Sequence, residues 1–369
     1  MKKILIDASL LSVGGGVQVG LACINHIAYD PEIEVVCVAS PQIDNQLTQA
    51  TKAQFKYYIV EPNVPFYKKW LQGKRIAAIE QRFNPDLVFV VFGPAYWKPQ
   101  ATTLQGFALG KILYSKELAI PFTENIFNII KKQLFIRSNA YLVVETEIVK
   151  KRLCEQFNYP AHKVAVIGNS YSPSFKKCVE QWQDNIALNN PKFSFLLPGS
   201  YYAHKNYENV IHALSYLPDL DIELIFTIDE HSSAWHKLIK LAQRIKVNHK
   251  IRTVGFIKNE DFAKTYLSAN AIICASLVES STAVFPEAFI SKRPLLASNR
   301  DFATNLCQEG ALYFDPLSSK DIAEKMKMIV SNNDLRDELI RNGLQALQKN
   351  YPSAEQKWQL QRQLLLSLN

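Results

Sequence analysis

The sequence lacks several patterns that would define its class at once. No apolar run approaches the ~18 residues of a membrane-spanning helix; the best candidates, Leu87–Phe92 and Ala271–Val278, are short enough to be buried strands. The six cysteines form no C-x-x-C pair, which favours reduced, buried thiols over disulfides or a zinc site. Two of them, Cys37 and Cys274, lie in predicted strands. No G-x-S-x-G elbow is present either.

Nucleotide and metal motifs are also incomplete. A dinucleotide fingerprint G-x-G-x-x-G built on Gly14 and Gly16 would need glycine where Val19 stands, which disfavours a nicotinamide enzyme. The D-x-D sequence Asp219–Asp221 falls between a predicted helix and a strand, at the wrong edge of the sheet for a ligand, so we interpret it as a solvated turn. The histidines show no ligand spacing. We expect no metal and no cofactor.

What is present is an ordinary globular composition, with 48% hydrophobic and 21% charged residues over 369 positions. That length favours more than one core. Short apolar strand patterns alternate with helical ones, which is typical of an open α/β sheet. The predicted strands are Lys3–Ile6, Glu34–Ala39, Leu87–Phe92, Tyr141–Val144, Val164–Ile167, Phe193–Leu197, Glu223–Thr227, Ile251–Val254, Ala271–Ala275 and Pro294–Ala297.

A domain boundary is predicted in the polar, turn-rich stretch Gly168–Asp184. We therefore expect an α/β domain at 1–170 and a second at 171–350, followed by a helix at about 353–369. The start of the chain, two lysines and an apolar triplet, superficially resembles a signal peptide. Because Asp7 interrupts it and glycines follow, a first strand explains it better.

The charge of +8 is unevenly distributed: residues 1–170 hold 19 Lys+Arg against 13 Asp+Glu. The excess is clustered beside apolar residues, at Phe66–Arg75, Lys131–Arg137 and Lys150–Arg152. Such clusters suit an anionic membrane surface or a polyanionic acceptor, although solvated helix faces would give the same pattern. No nucleic-acid motif accompanies the charge, so we expect no nucleic-acid partner.

The strongest candidate for a binding or catalytic segment joins a predicted strand to a helix. It carries Glu279 and Glu287, eight positions apart. Ligands of open α/β sheets bind where strands end, and a helix N-terminus there offers free N–H groups to a diphosphate. Glu287 could accept hydrogen bonds from a ribose diol, and Glu279 could orient sugar hydroxyls. Alternatively, Glu287 only balances the helix dipole and Glu279 is solvated.

A second such stretch follows the strand Phe193–Leu197. It begins with Gly199 and presents Lys205 directly before a helix. A lysine there could stabilise a departing diphosphate, and Asn206 is a good helix N-cap. A capped surface turn is the alternative. Near the amino terminus, the glycines at 14–16 could let the backbone approach a substrate closely.

Taken together, these residues resemble glycosyltransferase family 4, whose members are retaining GT-B enzymes. The resemblance covers most of the second half and is looser in the first. It rests on an ordered series: Gly199–Asn206, Val254–Phe256, Tyr266–Ala271, Glu279–Ala288, Arg293–Ser298 and Gly310–Pro316. It implies two Rossmann-like domains facing each other across a cleft, with a C-terminal helix crossing back to the first.

The resemblance implies roles for individual residues. Lys205 would neutralise the donor diphosphate, Glu279 would lie beside the transferred sugar, and Glu287 would hold the ribose. The backbone at Gly255 and Phe256 would meet the base. Further donor contacts are expected from Gly199, Ser200, Asn206, Ser281, Thr282 and Ala283, and acceptor or phosphate contacts from Gly15, Gly16 and Gln105.

The sequence departs from the family's pattern in three places. Ser200 replaces the usual arginine of the phosphate loop, so diphosphate binding would depend more on Lys205. Serines and threonine at 280–282 replace glycines after the first glutamate. Gln105 stands where the first domain usually has histidine, and glutamine cannot act as a base.

The resemblance therefore implies a metal-independent, hexosyltransferase-like enzyme that uses a nucleotide sugar. By analogy, it would act at the cytoplasmic face of a membrane, as a peripheral protein, in polysaccharide biosynthesis on a glycan or lipid-linked acceptor. Two alternatives share the architecture. One is a nucleotide-sugar 2-epimerase, and the other is a sugar-nucleotide-binding protein without catalytic activity.

Overall fold

The computed structural model describes residues 1–12, 14–115, 117–118, 121–184 and 191–368, and of residues 259 and 260 the backbone only. The chain divides into two compact units. Unit 1 contains the described residues of 1–115, 121–169 and 354–368, and unit 2 those of 170–353 with 117–118. The C-terminal residues therefore belong to the same compact unit as the first strand.

The sheet of unit 1 has seven strands among the described residues, all parallel, in the order β3-β2-β1-β4-β5-β6-β7. Their bounds are β1 Lys2–Ala8, β2 Ile33–Ala39, β3 Tyr57–Val60, β4 Leu87–Val90, β5 Thr102–Gly106, β6 Tyr141–Val144 and β7 Val164–Val166. The central strands β1 and β4 are apolar and buried, as expected of parallel strands covered on both faces.

Helices connect these strands. They are α1 Gly14–Ile27, α2 Pro41–Asp44, α3 Gln49–Lys52, α4 Lys69–Phe83, α5 Gly110–Leu113, α6 Phe122–Ser138 and α7 Glu147–Phe157, with 3₁₀ turns at Phe66–Lys68 and Ala161–Lys163. The C-terminal helix, Ala354–Ser367, buries Trp358 and Leu365 in the same core as Ile4 of β1. The Lys2 ammonium donates to the carbonyl of Leu366 at 3.2 Å. The predicted return of this helix to the first domain is confirmed.

Unit 2 repeats the arrangement with six parallel strands among its described residues, in the order β10-β9-β8-β11-β12-β13. The strands are β8 Phe193–Leu197, β9 Ile222–Phe226, β10 Ile251–Thr253, β11 Ala271–Cys274, β12 Leu295–Ser298 and β13 Ala311–Phe314. The helices are α8 Pro173–Trp182, α9 Tyr207–Ala213, α10 Ser233–Arg244, α11 Asn259–Leu267, α12 Val284–Ile290, α13 Asp301–Cys307, α14 Ser319–Ser331 and α15 Asn333–Asn350, after which Ala354–Ser367 is α16. The 3₁₀ turns are Ala203–Lys205, Leu214–Tyr216, Asn248–Lys250 and Gln308–Gly310.

Each unit is a doubly wound, Rossmann-like α/β sheet, and the predicted fold class is confirmed. In both units the strand order reverses beside the first strand: between β1 and β4 in unit 1, and between β8 and β11 in unit 2. The segments that follow these two strands run to opposite faces of the sheet. A crevice therefore opens at the carboxyl ends of the two strands. The two loops that carry the candidate residues of unit 2 start at this crevice.

The cysteines are free thiols, and Cys23, Cys37, Cys274 and Cys307 are buried. Cys37 lies in β2 and Cys274 in β11, as predicted.

None of the helices that the structure describes is long and apolar enough to cross a bilayer.

Candidate active site

The crevice of unit 2 is formed by the segments that leave β8 and β11. The first runs from Gly199 through the 3₁₀ turn Ala203–Lys205, and the second from Ser276 to the start of α12. The two are joined by a backbone hydrogen bond, in which the Leu277 N–H donates to the His204 carbonyl at 2.7 Å. The adjacent strands thus bring together residues that are more than seventy positions apart in the chain.

Lys205 and Glu279 form an ion pair in this crevice. The distance from Lys205 Nζ to Glu279 Oε1 is 2.6 Å, and the two side chains are only 15% and 12% exposed. The Ser276 hydroxyl donates to the same carboxylate oxygen at 2.8 Å. Burial alone would lower the pKa of Lys205, but Glu279, together with the nearby Cys274 and Tyr207, outweighs burial and raises that pKa above its usual value. The lysine is therefore a permanent positive charge at neutral pH.

Glu287 lies in the first turn of α12, as predicted. Its Oε2 accepts a hydrogen bond of 2.7 Å from the hydroxyl of Tyr266, a fully buried residue of α11. Burial raises the pKa of Glu287 to about 7, although the Tyr266 hydrogen bond and the charge of Lys205 both oppose the shift. Lys205 pairs with Glu279 and also lowers the pKa of Glu287, so its charge acts on both glutamates.

The segment between the two glutamates offers unused hydroxyl groups. The Oγ atoms of Ser280 and Ser281 are buried and have no hydrogen-bond partner among the described residues. Thr282 is occupied, because its Oγ1 accepts from the Val284 N–H at 3.3 Å, and Ala283 is exposed at the N-cap position of α12. Since a buried hydroxyl without a partner is costly, the two serines are candidates to bind a polar ligand.

Gly199 has the φ angle of +105° that glycine alone adopts readily, and its N–H donates to Thr227 Oγ1 at 2.8 Å. Ser200 beside it is exposed. Tyr201 anchors the segment by donating to Glu208 at 2.6 Å, and the Lys237 ammonium donates to the same carboxylate oxygen. These hydrogen bonds fix the backbone on both sides of Ser200, which stays exposed.

Asn206 occupies the N-cap position of α9, but its side chain does not cap the helix as predicted. It has a left-handed conformation, with φ of 58°, and makes no side-chain cap to α9. Its Nδ2 donates to the Pro316 carbonyl at 2.7 Å instead, and only 7% of the residue is exposed. Asn206 fixes the chain where the lysine turn ends, and its contact with a donor stays a prediction.

Gly255 and Phe256 follow β10, at one edge of the sheet. Gly255 has a φ of +76°, and its N–H donates to Thr253 Oγ1 at 3.1 Å. Phe256 is 78% exposed, which is unusual for a phenylalanine. An exposed aromatic ring can stack on a nucleobase, so the contact of this segment with the base stays a prediction.

In unit 1, Gly15 and Gly16 lie in the first turn of α1. Gly15 is exposed, with open space where a Cβ atom would stand, and its contact with an acceptor or phosphate stays a prediction. Gln105 is fully buried on β5, and its Oε1 accepts from the Ala95 N–H at 2.9 Å. Its Oε1 holds a neighbouring loop, while its buried Nε2 has no partner among the described residues, and a contact with an acceptor stays a prediction.

The structure also reveals groups that the sequence did not indicate. Asp7, at the end of β1, is buried, and burial raises its pKa to about 6. Ser276 and Tyr266 donate hydrogen bonds to the two glutamates. Tyr266 begins a segment of the family resemblance and Ser276 follows β11 by two residues, but neither pattern assigned these contacts.

No group of three or more histidine, cysteine, aspartate or glutamate side chains is arranged to hold a metal ion in the part of the chain that the structure describes. Asp219 and Asp221 are exposed just before and at the start of β9, which is the end of the strand away from the crevice. This agrees with their interpretation as a solvated turn.

The fold has close counterparts among solved structures. A glycosyltransferase from Rickettsia africae superimposes with a TM-score of 0.73 at 17% identity, over 98% of this chain and 97% of that one. The Anabaena protein HepE, crystallised with UDP and glucose, gives 0.75 at 15% identity over the whole of both chains. The architecture is therefore that of the GT-B glycosyltransferases.

Residues 179–346 match the family model described as glycosyl transferases group 1. This part of the chain, which contains the whole crevice of unit 2, is similar to a domain of that group. An uncharacterised glycosyltransferase from Methanocaldococcus jannaschii is 22% identical over 222 residues, 58% of this chain. The matched region spans 56% of the length of that relative.

The hydrogen bond from Tyr266 to Glu287 gives a first testable prediction. Tyr266→Phe removes a hydrogen bond that favours the ionised carboxylate, so the pKa of Glu287 should rise further above 7. We expect the pKa to rise by about one unit, roughly the 1.5 kcal/mol of a hydrogen bond to a charged group. Titration of the ¹³C-labelled glutamate by NMR measures this, with Tyr313→Phe as a control that removes a tyrosine hydroxyl bonded instead to a backbone carbonyl.

Proposed function

We propose that the protein is a retaining glycosyltransferase that moves a sugar from a nucleotide-sugar donor to an acceptor hydroxyl. One observation carries the proposal: the buried Lys205–Glu279 pair lies at the switch point of a glycosyl transferases group 1 domain, with Glu287 in the same electrostatic neighbourhood. Lys205 supplies the cation that a diphosphate would require. Glu279 and Glu287 supply the carboxylates that would bind the sugar and the ribose.

Lys205 is the group proposed to bind the diphosphate. In the structure its ammonium is paired with the Glu279 carboxylate at 2.6 Å. A donor diphosphate would compete for the ammonium and release the carboxylate towards the sugar hydroxyls. Because a positive charge is already present where the leaving group forms, the proposed reaction needs no metal. Addition of EDTA should leave the rate unchanged.

Glu287 is proposed to accept hydrogen bonds from the ribose diol, while Phe256 stacks on the base. The free hydroxyls of Ser280 and Ser281 would donate to the phosphates or the sugar. This places the nucleotide along the carboxyl ends of the strands of unit 2, as in other open α/β sheets.

The proposed reaction retains the anomeric configuration. The acceptor oxygen forms a bond to the anomeric carbon on the face that the diphosphate leaves, while the bond from that carbon to the phosphate oxygen breaks. The departing phosphate oxygen takes the acceptor's proton, so that the products are a glycoside and a nucleoside diphosphate. Lys205 would stabilise the charge that develops on the leaving oxygen.

We assign donor binding to unit 2 and acceptor binding to unit 1. The proposed setting is assembly of a cell-surface or lipid-linked glycan at the cytoplasmic face of a membrane, by a peripheral hexosyltransferase. The solved relative WaaG, described as a glycosyltransferase of lipopolysaccharide biosynthesis, supports this by analogy only, at 12% identity and a TM-score of 0.73. HepE has also been crystallised with UDP-glucose, which makes UDP-sugars the first donors to test.

The test is a thermal-shift screen of the protein against UDP-, GDP-, ADP- and CMP-sugars, followed by a transfer assay with the donor that stabilises it. We expect one nucleotide class to raise the melting temperature and the sugar to appear on the acceptor. An epimer formed without acceptor would identify an epimerase, and binding without turnover on any acceptor a non-catalytic protein. If no nucleotide binds, the proposal is wrong.

A further inference from the structure

A pocket of about 440 Å³ lies in unit 1, and none of the residues assigned to donor or acceptor binding lines it. One wall is the segment 64–69, which follows β3 and begins α4, and the other is the first half of α6, which follows β5 and α5. Both walls therefore begin beyond the carboxyl ends of strands, the edge of an open α/β sheet where ligands bind. The volume is within the range of small-molecule sites.

The helix α6 contributes one of its faces to the pocket. The lining residues recur on it every four positions, with Thr123, Phe127 and Lys131 in one row and Glu124 and Asn128 in the next. The ring of Phe127 also contacts that of Phe66 on the opposite wall, and their centroids are 4.6 Å apart. The pocket therefore combines an aromatic surface with polar groups of α6.

Two ammonium groups in this pocket have no counter-ion. Neither Lys69 nor Lys131 makes a hydrogen bond or an ion pair with a residue that the structure describes. Lys69 Nζ lies 5.1 Å from the centroid of the Tyr96 ring. Burial lowers the pKa of both lysines, and the charge of Lys131 lowers that of Lys69 further. An anion bound beside both ammonium groups would offset their burial and their mutual repulsion.

The carboxylate of Glu124 lines the same pocket but does not compensate these charges. The ammonium of Lys111 pairs with it at 2.9 Å. The charge of Glu124 raises the pKa of Lys131, yet burial and Lys111 together outweigh this effect. Three ammonium groups, those of Lys69, Lys111 and Lys131, and one carboxylate leave two positive charges in excess.

Asn128 is a second, independent sign of a ligand. It lines the pocket and is only 8% exposed, and its Nδ2 has no hydrogen-bond partner among the described residues. A buried amide donor without a partner destabilises the folded chain. An anion held by the two ammonium groups could accept a hydrogen bond from this amide.

We propose that this pocket binds the phosphate group of a small, soluble phosphorylated sugar. The two ammonium groups and the Asn128 amide would donate to the phosphate oxygens, and the sugar ring would pack against Phe66 and Phe127. A phosphate monoester carries nearly two negative charges at pH 7, so it matches the excess of positive charge better than a carboxylate does. The inference does not depend on the proposed transferase activity.

The test is calorimetric titration of the full chain with glucose 1-phosphate, glucose 6-phosphate, inorganic phosphate and glucose. We expect a sugar phosphate to bind more tightly than inorganic phosphate, and glucose not to bind measurably. Lys69→Gln and Lys131→Gln should each weaken binding about tenfold, since each removes a hydrogen bond from a charged group. Lys320→Gln/Lys327→Gln, the same loss of charge on exposed lysines of α14 in unit 2, should leave binding unchanged.

Asn128→Leu distinguishes a ligand-binding amide from a structural one. It removes the donor and nearly preserves the size of the side chain, so it should weaken binding of the sugar phosphate. The melting temperature without ligand should stay unchanged or rise, because no hydrogen bond within the protein is lost. If Asn128→Leu lowers the melting temperature and leaves binding intact, the amide is structural and the proposal is wrong.

Lys205→Ala and glucuronate distinguish this pocket from another site and another anion. Lys205→Ala should bind the sugar phosphate as wild type does. Loss of binding in Lys205→Ala but not in Lys69→Gln/Lys131→Gln would place the phosphate in the crevice of unit 2 and overturn the proposal. Binding of glucuronate without binding of any phosphate compound would overturn the assignment of a phosphate, and no binding of any of these anions would overturn the site itself.

Discussion

Lys205→Ala is expected to lower the rate of sugar transfer by roughly 10²–10³-fold, the usual effect of removing one preorganised group that stabilises developing charge. The ammonium lies in a crevice where it is only 15% exposed, so water cannot replace it efficiently. Glu279→Ala should also abolish measurable transfer. The measurement is turnover with the nucleotide sugar that the thermal-shift screen selects.

The matched control for Lys205→Ala is Lys325→Ala on α14, which also removes a lysine paired with a carboxylate, that of Asp321 at 3.9 Å. Its transfer rate should be unchanged. Wild-type transfer by Lys205→Ala or by Glu279→Ala would refute the proposed function.

The free energy of unfolding should also distinguish Lys205→Ala and Glu279→Ala from the double variant. Either single change leaves a largely buried charge unpaired and should lower the free energy of unfolding by roughly 3 kcal/mol. Lys205→Ala/Glu279→Ala removes both charges and should cost less than the sum of the two single changes. Because the singles are destabilised, folding must be checked by thermal unfolding before a loss of transfer is attributed to chemistry.

Affinity for the donor is expected to fall roughly thirtyfold as the pH is lowered from about 8 to about 5.5. Glu287 can accept two ribose hydrogen bonds only when it is ionised, and burial raises its pKa to about 7 in the free protein. Lowering the pH through that value protonates the carboxyl, so a proton must be released before the donor binds. The measurement is calorimetric titration with the nucleotide sugar, whose diphosphate diester does not titrate in this range.

Glu287→Gln is the control for the pH dependence. It should bind the donor weakly at every pH and show a flat profile, because glutamine has no proton to lose. A parallel fall of affinity in wild type and Glu287→Gln would show that another group titrates, Asp7 with its pKa of about 6 being the first candidate.

The strands of unit 2 were predictable because their apolar runs are continuous and bounded by turn residues. Phe193–Leu197 coincides with β8, and Ala271–Ala275 differs from β11 by one residue. The strands that pattern analysis did not identify are β3, β5 and β13. β5 lies inside the sheet of unit 1, but its sequence Thr102–Gly106 has no apolar run, whereas β3 and β13 lie at sheet edges. Edge strands are buried on fewer sides, so Tyr57–Val60 has no fully buried residue and no clear apolar signal.

The residues of the candidate site that directly follow a predicted strand could be placed from the sequence. Lys205 and Glu279 come from loops after β8 and β11, and adjacency of those strands follows from doubly wound topology. Asn206 was mispredicted because its conformation is fixed by the Pro316 carbonyl, 110 residues away. The partnership of Tyr266 with Glu287 likewise depends on the packing of α11 against α12 and leaves no signal in either segment.

The most direct test of the central claim is a crystal structure of the protein with UDP, or with whichever nucleoside diphosphate the screen selects. We predict a phosphate oxygen within hydrogen-bond distance of Lys205 Nζ and the ribose hydroxyls on Glu287. A diphosphate bound elsewhere, for example at the glycine turn that begins α1, with the Lys205–Glu279 pair still intact, would contradict the account.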